Sequence, residues 1–176
     1  MGMKNSKFME RNNLIKYVSE SDPEVNVLLR NGKDASAYTF DSLFEMGAIP
    51  QPLYRLINNE HFQVQDNTFI DQAYLSCTRD VDAFINHVQG ENLACLHFDI
   101  YDELPMIDVH TILKDHNDEN EVVLPRGLRF KVELVKIHSS SDDIQEFLDI
   151  VNSNYSVKEI RDIYKIINIF YYKLTL

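Results

Sequence analysis

The chain has 176 residues, 44% hydrophobic and 26% charged, the composition of one globular domain with room for a sizeable core. Its net charge of −11 repels nucleic-acid backbones and favours a basic partner surface, although a local arginine can still receive an anionic small molecule. No apolar run approaches the ~20 residues of a membrane span, and the start shows no apolar stretch of a secretory signal, so a cytoplasmic location without membrane contact is expected.

The only cysteines are Cys77 and Cys95. Two cysteines make no disulfide framework and suit a reducing compartment. The opening Met-Gly-x-x-x-Ser fits a myristoylation pattern in form, but six residues specify little.

The first ~50 residues read as helices, with boundaries good to a few positions. In "SDPEVNVLLRNGK", Ser21 or Asp22 can cap, Pro23 suits the first turn and Gly32 suits the stop. Val25, Leu28 and Leu29 form that helix's apolar face. "YTFDSLFEMG" holds Phe40, Leu43 and Phe44 at helical spacing and ends at Gly47. "PQPLYRLI" and "FIDQAYLSCT" then read as strands. Asp80 can cap a short helix through Val81, Phe84, Ile85 and Val88. "NLACLHFDI" alternates, with Ala94, Leu96, Phe98 and Ile100 on one face.

"EVVL" and "LRFKVEL" flank a turn at Pro125–Gly127 and read as a hairpin, with Leu128, Phe130, Val132 and Leu134 sharing a face of its second strand. "SSSDDIQEFLDIVNSN" is an amphipathic helix on Ile144, Phe147, Leu148 and Val151, with serines and aspartates at its capped end. Ser156 and Glu159 have capping-box spacing. "YKIINIFYYKLTL", rich in β-branched and aromatic residues, reads as a buried central strand, with helix as the alternative. The class is α+β, one domain over 1–176: a helical part (1–50), a strand-rich core (51–138), then a helical insertion and final strand (139–176).

Few residues here suit catalysis. The six histidines lack the close spacing of a zinc helix motif, so no metal is expected. His97 falls on the polar face of its strand and reads as structural. With five glycines and no phosphate-cradling loop, a Rossmann or P-loop site is disfavoured. No G-x-S-x-G elbow is present. Nothing local argues for activation of Cys77. What remains is a carboxylate pair, Glu119 and Glu121. In extended backbone the two share a face, and their repulsion raises the pKa of one of them. Alone, an E-x-E pair in an acidic chain is an ordinary solvated strand end.

Its context is more specific. "ENEVVLPRG" at 119–127 resembles the glutamate segment of the arginine-type mono-ADP-ribosyltransferases. That family's other signatures, an aromatic-Arg pair and an aromatic-hydrophobic-Ser-Thr-Ser strand, are matched by "LYRL" at 53–56 and "AYLSCT" at 73–78, in the family's order. The resemblance covers about residues 50 to 138 and the last strand. It is greatest to small phage-encoded members, then to bacterial effectors. Two positions depart from the pattern: Leu56 stands where the family often has glycine, and Cys77 replaces the middle threonine.

The resemblance implies a split β-sandwich of two small sheets around an NAD cleft, with a helical N-terminal region. NAD+ would be a substrate and no metal would be needed. Loss of nicotinamide develops positive charge on the ribose, as in glycoside hydrolysis. Glu121 would bind the ribose hydroxyl and stabilise that charge. Ser76 would hold Glu121 in place, and the rigid fork of Arg55 would take the diphosphate. Glu119 would orient an acceptor guanidinium and help remove its proton. Tyr54, Leu56, Tyr74 and Thr78 would line the cleft, and Phe69 or Phe84 would stack on nicotinamide. The partner would be a target protein with an accessible arginine on a basic surface, in a host cytoplasm. The alternatives are an NAD glycohydrolase, transfer to a non-protein acceptor, or a degenerate interaction module.

Overall fold

The computed structural model describes residues 3–20, 22–114 and 120–176. The Met-Gly start, the capping candidate Ser21 and the acceptor candidate Glu119 lie outside the described residues.

Helices α1 (Met3–Ser19) and α2 (Glu24–Arg30) come first, followed by a 3-10 turn at Asp41–Leu43. Strands β1 (Glu45–Ala48), β2 (Tyr54–Asn58), β3 (Thr68–Ile70), β4 (Leu75–Thr78), β5 (Asn92–Phe98) and β6 (Glu103–Asp108) lead to the short helix α3 (Val109–Ile112). Then come β7 (Glu121–Leu124), β8 (Arg129–His138), α4 (Ser141–Ile150), α5 (Val157–Asp162) and β9 (Asn168–Thr175). The chain groups into two compact units. The first holds the chain up to Ile49, Ile70–Ser76 and Asp102–Leu128; the second holds Pro50–Phe69, Cys77–Tyr101 and Arg129–Leu176.

In the first unit β1 pairs antiparallel with β6, and β6 with β7. Leu14 and Tyr17 of α1 and Val25 of α2 join Phe40, Tyr74, Ile107, Val109 and Val123 in its core. Helix α2 ends in a Schellman motif. Gly32, at φ +66°, donates to the Leu29 carbonyl, and Lys33 donates to that of Leu28. At the other end Pro23 occupies the cap position itself, one place before the first turn. The helix expected over Phe40 to Gly47 does not form. Phe40 and Phe44 instead stack on the Tyr74 ring, at 4.0 and 5.7 Å, and Glu45–Ala48 hydrogen-bond to β6 as a strand. Tertiary pairing here overrides a helical spacing.

In the second unit β2 pairs antiparallel with β5, β5 parallel with β9, and β9 antiparallel with β8. The final segment is therefore a central strand, as expected. Its neighbour β5 corrects the alternating reading, because Leu93, Ala94, Cys95 and Leu96 are all fully buried. Leu93 and Cys95 pack with Ile144, Phe147 and Leu148 of α4, while Phe98 meets Phe130 of β8 edge-on at 5.2 Å. A strand covered on both faces needs no polar face. The helix expected over 81–88 is two 3-10 turns, with Asp80 capping the first as foreseen. Helix α4 is capped by Ser140, and α5 carries the full Ser156–Glu159 capping box.

Two further expectations are corrected. "FIDQAYLSCT" is two strands, interrupted where the Asp71 carboxylate accepts from the Ala73 N–H and its carbonyl accepts from Gly127 N–H. β7 and β8 are not partners in a hairpin: β7 pairs with β6 in the first unit and β8 with β9 in the second. Strand β8 keeps an unbroken register against β9 from Lys131 to Leu134, in keeping with the expected alternation; a bulge follows between Leu134 and Lys136, and along the strand Phe130 is buried while Leu134 is exposed.

Candidate functional site

In the first unit the chain reaches Glu121 through Asn120, whose φ of +55° lies in the left-handed region that asparagine tolerates. Glu121 opens β7 and is only 8% exposed, beside the buried Val122, Val123 and Leu124. A carboxylate held in such surroundings interacts more strongly with a nearby charge than one in water.

Ser76 lies in β4, and its hydroxyl hydrogen-bonds the Tyr17 hydroxyl at 2.6 Å. Tyr17 is 2% exposed, its ring edge-on to Phe40 at 5.1 Å and to Tyr74 at 5.9 Å. The approach to Ser76 is held just as firmly. Asn26, buried on α2, donates from its side chain to the Tyr74 carbonyl at 3.2 Å and accepts from the Tyr74 N–H at 3.1 Å. It thereby supplies the backbone pairing that a neighbouring strand would. The Tyr74 hydroxyl donates to Asp41 at 2.8 Å and accepts from the Phe40 N–H at 3.0 Å, and burial pushes its pKa up. Arg126, in the turn after β7, hydrogen-bonds Asp41, which raises its own pKa, and its guanidinium lies 5.7 Å from the Tyr74 ring.

In the second unit Arg55 sits mid-strand on β2, opposite Leu96 of β5. Tyr54 and Leu56 flank it, and both belong to the buried core, so strand alternation directs Arg55 to the opposite face. Burial pushes the Tyr54 phenol up to about 12. Thr78 is fully buried, its hydroxyl donating to the Asp80 carbonyl and accepting from the Asp80 N–H, each at 3.0 Å. Phe69 packs against Phe62 at 5.0 Å in the core, whereas Phe84 is half-buried at the edge of the α4 cluster. His97 is half-buried, 3.2 Å from the Tyr171 hydroxyl, and burial lowers its pKa.

Ser76, Tyr74 and Glu121 thus belong to the first unit, and Arg55, Leu56, Tyr54, Thr78, Phe69 and Phe84 to the second. Cys77 and Cys95 are both buried and outside any disulfide. Among the described residues no group of three or more histidine, cysteine, aspartate or glutamate side chains is placed to hold a metal ion. No described helix is long and apolar enough to cross a membrane. Tyr17 and Asn26 were not foreseen. Their helical spacing marks where they face but carries no sign of partners 59 and 48 residues away.

No protein-family model matches the sequence, and no curated protein matches it. Solved structures do. The chain is similar to the catalytic domain of VsdC from Aeromonas hydrophila, with a TM-score of 0.56 and 13% identity over 94% of this chain and 99% of that one. It is similar to Plx2a, an ADP-ribosyltransferase toxin from Paenibacillus larvae (TM-score 0.54, 15% identity, 94% and 84% covered). It is also similar to exoenzyme S from Pseudomonas aeruginosa, solved with human 14-3-3 protein beta and carba-NAD (TM-score 0.53, 14% identity, 94% and 72% covered). The chain has the α+β fold of the ADP-ribosyltransferases.

Proposed function

We propose that the chain is an NAD+-dependent mono-ADP-ribosyltransferase that moves ADP-ribose to arginine side chains of a target protein and releases nicotinamide. The observation that carries this reading is a conjunction. The ordered arginine, serine and glutamate signatures stand on a fold shared, over 94% of the chain, with an ADP-ribosyltransferase toxin. The carba-NAD bound to exoenzyme S supports NAD+ as the substrate, and its 14-3-3 complex supports a protein partner.

On this reading the bond between nicotinamide and the ribose anomeric carbon breaks, and its electron pair leaves with nicotinamide. The acceptor nitrogen then attacks that carbon and gives up a proton. Glu121 binds the ribose hydroxyl and stabilises the positive charge developing on the sugar. Ser76 positions Glu121, and Arg55 binds the diphosphate. Glu119 orients the acceptor guanidinium and takes its proton. Tyr54, Leu56, Tyr74 and Thr78 line the cleft. Phe69 or Phe84 stacks on nicotinamide. The −11 net charge favours a target with a basic surface, and the site of action is a host cytoplasm.

The test is to incubate the purified protein with labelled NAD+ and cell lysate, then locate the label by mass spectrometry. Label on arginine is the expected result. Nicotinamide release without labelled protein would contradict transfer to protein, and label on another side chain would contradict arginine specificity.

A further inference from the structure

Tyr17 lies outside all three signatures, yet its hydroxyl makes a 2.6 Å bond to Ser76 from a helix 59 residues earlier in the chain. Its burial leaves the phenol little freedom, and its packing against Phe40 and Tyr74 fixes the ring. Tyr74 is itself held at its backbone by Asn26 and at its hydroxyl by Asp41. Such a contact has a chemical direction. A phenol is far more acidic than an aliphatic alcohol, so Tyr17 is the natural donor and the Ser76 oxygen the acceptor. A serine hydroxyl that accepts one bond has its own O–H polarised and turned toward a second partner.

From this geometry we infer that Tyr17 is a positioning residue for catalysis: its phenol donates to Ser76 and aims the serine O–H that holds the catalytic carboxylate. The inference rests on the proposed transferase reading and adds to it a residue from the N-terminal helix. It separates the two roles of that helix, since the ring packs the core while the single oxygen serves the site.

The test uses the full chain and follows nicotinamide release from NAD+. Tyr17→Phe keeps the ring and removes only the oxygen. It should lower kcat about ten-fold, the effect of one lost buried hydrogen bond, with KM for NAD+ and the melting temperature little changed. Ser76→Ala should lower kcat as well, and the double variant should be no worse than Ser76→Ala alone. Wild-type kcat in Tyr17→Phe, a loss seen in KM rather than kcat, or multiplicative losses in the double variant would overturn the inference while leaving the transferase reading intact. A wild-type chain that releases no nicotinamide would overturn both.

Discussion

Asn26 shows how a single polar side chain can hold a strand in place. It is 4% exposed, and both ends of its amide are used on the Tyr74 backbone. Asn26→Leu removes both bonds and leaves a buried N–H and carbonyl without these partners, a loss of about 2–4 kcal/mol. The melting temperature should fall by several degrees in a thermal scan, and an unchanged value would deny the amide this role. In the sequence Asn26 is only a polar residue beside Val25 and Val27. By contrast Arg55, Ser76 and Glu121 stood out as candidates, because residue type and order along the chain are visible in the sequence itself. Tyr17 did not, because a hydroxyl contact across 59 residues leaves no local pattern.

Among the elements, the C-terminal helices α4 and α5, whose signals are local, were read correctly. Helix α5 has its capping box, with Ser156 accepting from the Glu159 N–H and the Glu159 carboxylate accepting from the Ser156 N–H. Ser156→Ala should cost about 1 kcal/mol of stability in chemical unfolding, with the midpoint shifted and the slope unchanged. Helix α4 keeps its expected apolar face, and its C-terminal end is closed by Asn152, at φ +59°, with Ser153 donating back to the Leu148 carbonyl. Elements defined by distant pairing were read less well. Glu45–Ala48 looked helical and became a strand through β6. The turn at Pro125–Gly127 looked like a hairpin, but Gly127 bonds to Asp71 and the flanking strands pair elsewhere. The parallel pairing of β5 with β9 joins residues 76 positions apart, beyond any sequence period.

Taken together, the chain winds through its two units in three segments each, and the signature residues are shared between them. The sequence indicated the α+β class because its helices gather at the start and its strands later. It indicated the ADP-ribosyltransferase fold through three short signatures in order, where overall identity to the similar solved structures is only 13–15%. It did not reveal the division into units, since each unit is assembled from distant stretches of chain.

On the proposed function, Glu121 drives cleavage of NAD+ for transfer to protein. The most direct measurement compares the wild-type chain with Glu121→Gln, which keeps the side chain's size, in a lysate supplied with labelled NAD+. Circular dichroism would establish that both are folded. The wild type should label protein bands, and the variant should lose at least about 100-fold of that labelling. Equal labelling by a folded Glu121→Gln protein would contradict that role.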